Sequence, residues 1–176
     1  MRQEKSNSNS SLPNACECLF LLIFIGVIGA IAVPSALTMV IKAKQSEGKQ
    51  YVSSMNRAQS KFAENGSFSN SVDTLGIGLK TETTNYKYST RATKEAAFQY
   101  GISKQAKVKS YIGGIFVVPA KEVDPNAAKN EMTTLAILCE AEDRRLIQLT
   151  PADKPAEPIY QNGKVICGKD TTQVTK

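Results

Sequence analysis

The pattern of apolar and polar positions divides the chain into stretches of different character. Residues 1–12 are polar, with Arg2, Glu4 and Lys5 ahead of a Ser/Asn stretch. From Cys18 to Ile41 there is no charged residue, and the run Leu19-Phe20-Leu21-Leu22-Ile23-Phe24-Ile25 opens a stretch that is apolar all round. A helix of about 20 apolar residues crosses a hydrocarbon core, so this run predicts a membrane-spanning helix. Two alternatives stand beside it. A buried core helix seldom stays apolar on every face. A cleaved secretory signal ends a shorter apolar core in a small-residue site, which Ala30-Ile31-Ala32 fits loosely. A lipoprotein anchor fits less well, because the apolar segment follows Cys16 instead of preceding it.

Beyond Ile41 the period changes. Tyr51, Met55, Ala58 and Phe62 fall at i, i+4, i+7 and i+11, one apolar stripe of an amphipathic helix, with Lys49, Ser53, Arg57 and Lys61 as a polar stripe beside it. Asn65-Gly66 supplies a stop, since both residues tolerate the left-handed turn. Pro34 lies inside the helix and is expected to kink it or melt it locally. Strand signals follow. Tyr86 and Tyr88 alternate with polar residues, as do Phe98, Tyr100 and Ile102; Tyr111 to Val118 carries a Gly113-Gly114 pair read as flexible; Leu135 to Cys139 is a further apolar run. Ile159-Tyr160 and Val165-Ile166 flank Asn162-Gly163, a strong hairpin signal. Residues 121–130 and 151–158 read as surface loops. The expected plan has a leader-like polar segment at 1–12, a transmembrane half-helix at 13–41, an amphipathic half at 42–65 and a β-rich head at 66–176. Its fold class is α+β, one long N-terminal helix packed on an antiparallel sheet.

Composition narrows the chemistry. The 176 residues include no histidine, which removes His-based acid/base catalysis and most zinc and haem sites. Four cysteines, two at the head of the apolar run and two late in the chain, make a poor Cys₄ metal site. No metal or other cofactor is expected, and an enzyme is disfavoured. Glu140, Glu142 and Asp143 are candidate acid/base carboxylates, but Arg144 and Arg145 beside them suggest a solvated salt-bridging cluster. Gly168-Lys169-Asp170-Thr171-Thr172 superficially resembles part of a phosphate loop without its glycine spacing. Cys139 and Cys167 are spaced for a disulfide, with two buried thiols as the alternative; Cys16 and Cys18 read as small apolar residues or intersubunit contacts. The net charge is +6. Lys104, Lys107 and Lys109, with Tyr100, Tyr111 and Phe116 among them, are candidate contacts to a polyanion such as DNA, against the simpler reading of a solvated lysine face.

Glu17, at the start of the apolar run, and the segment Ile25-Gly-Val-Ile-Gly-Ala-Ile-Ala-Val-Pro34 carry a resemblance. With Lys42-Ala-Lys-Gln-Ser-Glu-Gly-Lys-Gln-Tyr51 and Phe62-Ala-Glu-Asn-Gly-Ser-Phe68, the front half resembles type IV pilins and pseudopilins, and in particular the cyanobacterial type IV pilin-like G/H group. The resemblance implies a structural, non-catalytic subunit with an inner-membrane helix and a periplasmic or extracellular head, handled by prepilin peptidase and pilus assembly machinery. Its partners would be other pilin subunits. It places Glu17 as the assembly carboxylate, pairing with a neighbouring subunit's terminal ammonium. The processing junction falls near Leu12-Pro13, where no glycine precedes it. That departure carries two expectations: a processed minor subunit of a pilus or pseudopilus, or an uncleaved, membrane-anchored binding module. Orientation is divided as well. Lys42, Lys44 and Lys49 outnumber Arg2 and Lys5 and favour a cytoplasmic head, whereas a late disulfide favours an oxidising compartment.

Overall fold

A computed structural model describes residues 15–142 and 154–174, with side chains at 20–24, 26, 37–142 and 154–174. Helix α1 runs over Ala15–Glu64. It stays helical through Pro34, so the expected local melting there does not occur. The chain divides into two compact units, the first ending at Val40 and the second running from Ile41 to Lys176. In the first, Phe20, Leu21, Leu22, Ile23 and Phe24 are each between 56% and 69% exposed, and Leu37, Met39 and Val40 are exposed as well. Among the described residues no helix is long and apolar enough to cross a membrane. The middle of the expected span, 27–36, lies outside the residues whose side chains are described.

In the second unit the amphipathic half of α1 ends as the Asn-Gly pair dictates. The amide of Gly66 donates to the Ala63 carbonyl at 2.9 Å, and Gly66 adopts φ +75°. Among the described residues seven strands follow: β1 (Tyr86–Ala92), β2 (Ala96–Ser103), β3 (Tyr111–Pro119), β4 (Met132–Ala141), β5 (Ile159–Gln161), β6 (Lys164–Ile166) and β7 (Thr171–Gln173). Five form an antiparallel sheet ordered β1-β2-β3-β4-β7, and β5 pairs with β6 in a separate hairpin. Asn162 and Gly163 both have positive φ at its turn, the geometry a two-residue hairpin loop requires.

Each face of the large sheet has its own core. On one, Val52, Met55 and Ala58 of α1 meet Tyr86, Tyr88 and Tyr111, with Val72 and Leu75 from the segment after the helix. On the other, Ala96, Phe98, Tyr100, Ile112 and Cys139 are packed by Val165 and Cys167. This double cover corrects two expectations. Strand β2 does not alternate between buried and solvated positions, because nearly every residue in it is buried. Residues 154–158 are not a surface loop, since Pro155 and Pro158 are buried. The glycine pair of β3 is also not a flexible joint. Successive strand residues face opposite sides; Gly113 admits the Asn56 amide on the helix side, and Gly114 admits Pro158 on the other, where an added Cβ would sit 3.0 Å from Pro158 Cγ. Strand β7 was not expected at all; it occupies the segment read only as a distant phosphate-loop look-alike.

Candidate functional site

The face of α1 that meets the sheet is built on one close approach per turn. Gly48 lies under Tyr86 and Tyr111, where an added Cβ would come within 2.6 Å of Tyr86 Cζ. One turn on, Val52 fills the space over Gly101, and a further turn brings Asn56 over Gly113. Two buried amides fix this register. Asn56 Nδ2 donates to the Ile137 carbonyl at 2.9 Å, and Gln59 bonds both the amide and the carbonyl of Ser69, at 2.9 and 2.6 Å. Toward the start of this half of the helix, the Glu47 carboxylate accepts from Thr83 Oγ1 and Asn85 Nδ2, each at 2.6 Å, while Lys44 donates to Gln105 at 2.6 Å. Burial first, then the neighbouring Tyr111 and Glu47 charges, pushes the Tyr86 hydroxyl well above the ordinary phenol range. A phenol held neutral in this way donates hydrogen bonds and does not act as a base.

On the opposite sheet face a clamp holds the C-terminal segment. Arg91 donates to the Glu157 carboxylate through Nε, at 2.7 Å, and through Nη2, and Tyr100 Oη donates to the same carboxylate. Arg91 also stacks 4.7 Å over the Phe98 ring, and Lys154 sits 4.4 Å over Tyr100. Burial pushes the Glu157 carboxyl up, but the hydrogen bonds from Arg91 and Tyr100 and the Arg91 charge outweigh it, so its pKa lies below the ordinary 4.5. Burial and the Glu157 hydrogen bond push Tyr100 up to about 12. Beside the clamp is a groove of about 470 Å³, with Phe98, Phe116 and Tyr160 among its lining residues.

The disulfide expected from spacing is present: Cys139 and Cys167 are bonded, with a sequence separation of 28. The lysine cluster is arranged differently from a polyanion platform. Lys104 is paired to Glu82 at 2.5 Å and Lys109 to Glu140, while Lys107 is exposed. Tyr100 and Tyr111 are buried in the two cores and present no ring for a base to stack on. Among the candidate carboxylates, Glu140 holds Lys109 and Glu142 accepts from Thr172 Oγ1 at 3.0 Å. Asp143, Arg144 and Arg145 lie outside the described residues, as do Leu12 and Pro13. The backbones of Glu17 and Pro34 belong to α1, but their side chains are outside the described set. Sequence reasoning missed Glu47, Arg91 and Glu157. Arg91 and Glu157 are 66 residues apart, and neither sits in a motif.

The family model described as type IV pilin-like G and H matches residues 45–168. That stretch runs from the amphipathic half of α1 through β6 to just past Cys167, so it contains the helix-to-sheet seam, the clamp and the disulfide. No curated protein and no solved structure matches the chain. The match covers more than half of the 176 residues, and the chain belongs to the type IV pilin-like G and H family.

Proposed function

We propose that this pilin-like protein is a minor structural subunit of a type IV pilus or secretion pseudopilus, working in motility, adhesion, secretion or DNA uptake. Its head stands on the oxidising side of the inner membrane. The observation that carries this reading is the row of exposed large apolar side chains on α1, Phe20 to Phe24 and then Leu37, Met39 and Val40. Fully burying one such side chain is worth about 1.5–3 kcal/mol, so a surface of this kind calls for lipid before assembly and neighbouring helices after it. Glu17 then supplies register. A carboxylate at that depth is costly without a cation, and a neighbouring subunit's terminal ammonium satisfies it. Polymerisation is the whole mechanism, and no bond-making step belongs to the subunit once prepilin peptidase has acted.

The absence of a glycine before Leu12-Pro13 favours a second reading, an uncleaved and non-polymerising anchored module that binds a ligand with its head. Photo-crosslinking separates the two. A photoreactive residue at Phe24, in membranes of cells expressing the assembly machinery, is expected to yield crosslinks between subunits. Crosslinks to lipid alone would sink the filament reading and leave the anchored module.

A further inference from the structure

A second groove, of about 500 Å³, lies between residues 54–62 of α1 and residues 75–79 of the segment that follows it. The buried Ala58 and Leu75 form its floor, the half-buried Phe62, Ile77 and Leu79 its apolar walls, and Arg57 and Lys61 stand one turn apart along it. Among the described residues no carboxylate pairs with either cation: Arg57 donates only to Ser54 Oγ, at 2.9 Å, and neither residue is in an ion pair. An apolar trough with two uncommitted cations fits a ligand that offers apolar side chains and carboxylates together.

Among the described residues of the head, the exposed large apolar ones are Val123, Met132, Ile159 and Ile166. Ile159 and Ile166 face each other across the β5–β6 hairpin, and Glu157, two residues before Ile159, is already held by Arg91. Val123 instead lies in the β3–β4 connection and Met132 opens β4 at its end, the connection being closed by the Ala120 amide donating to the Glu131 carbonyl at 2.8 Å. Asp124 and Glu131 are their immediate chain neighbours; both are exposed and accept from loop amides, Asp124 from Asn126 at 2.9 Å and Glu131 from Ala128 at 3.1 Å, with no cation paired to either among the described residues. Glu122, the third acid of the loop, is engaged by Tyr160 Oη. Lys121 and Lys129 share the loop, so the match to the groove is local, Val123-Asp124 and Glu131-Met132 against Arg57 and Lys61, and does not come from net charge.

From this complementarity we infer that the Arg57–Lys61 groove of one copy docks the β3–β4 loop of a second copy. Groove and loop are different surfaces, so the contact is heterologous, the groove of one copy against the loop of the next. It deepens the filament reading and rests on it, giving the heads a specific contact beyond the packing of α1.

Two complementary copies of the full chain, co-expressed with the assembly machinery, test the contact. One carries Lys61→Arg and keeps its acids; the other keeps Lys61 and carries Asp124→Asn with Glu131→Gln. A zero-length carbodiimide joins an amine only to a carboxylate in direct contact, so any Lys61–Asp124 or Lys61–Glu131 linked peptide must come from two different copies. The expected result is one or both linked peptides, lost when the second copy also carries Arg57→Glu. Photo-crosslinks at Phe24 without either linked peptide would overturn the docking and leave the filament reading standing. Loss of both kinds of crosslink would overturn both.

Discussion

Gly48 sets two effects of opposite sign against each other. Alanine in place of glycine improves an isolated helix by about 1 kcal/mol. Here the new methyl would lie 2.6 Å from Tyr86 Cζ and 2.8 Å from Tyr111 Cδ2. The Tyr86 ring cannot swing aside cheaply, because its hydroxyl donates to the Lys109 carbonyl at 2.9 Å and the ring is fully buried. Overpacking of this kind costs about 1–3 kcal/mol, so Gly48→Ala is expected to lower the melting temperature despite its better helix propensity. Glu157 gives a pH signature. Its carboxyl titrates below the ordinary 4.5, so its pairing with Arg91 stabilises the fold above that pH and is lost as pH falls through the lowered value. Arg91 is 46% exposed, so solvent screening keeps the pair to about 1 kcal/mol. Urea midpoints from pH 7 to pH 3 should fall less steeply for Glu157→Gln than for the parent chain. Parallel slopes would refute the clamp. Neither pair was legible in the sequence. A glycine inside a helix marks a close approach only once its neighbour is known, and Arg91 meets Glu157 across 66 residues.

Among the elements, the disulfide and the covering segment act together. Cys139 in β4 and Cys167 after β6 tie the β5–β6 hairpin onto the sheet face that holds Phe98, Tyr100 and Ile112. Closing a loop of this length is worth about 3–4 kcal/mol by chain entropy. Replacing both cysteines by alanine is therefore expected to speed amide exchange in β5 and β6 far more than in β2 and β3, whose ladder is independent of the bond. Equal acceleration everywhere would contradict that division. Strands β1 to β6 were legible because aromatic and β-branched residues alternate or cluster in them and a strong Asn-Gly turn joins the last two. Strand β7 was not, since Thr171-Thr172-Gln173 has no apolar alternation and is held by pairing to Cys139, Glu140 and Ala141. The second covered face was hidden for a related reason. Its cover includes Pro155 and Pro158, and proline-rich sequence ordinarily marks an exposed loop.

At the scale of the molecule, the compact unit from Ile41 onward holds the features matched by the family, while Phe20 to Phe24, Leu37, Met39 and Val40 of α1 before it are exposed. In the proposed role, other subunits complete the exposed apolar surface of α1. Intact-mass spectrometry of the chain recovered from sheared surface filaments tests that role most directly. The expected result is a chain present there that begins at or near Pro13, its leader removed. A chain found only in the membrane fraction, still starting at Met1, would contradict it.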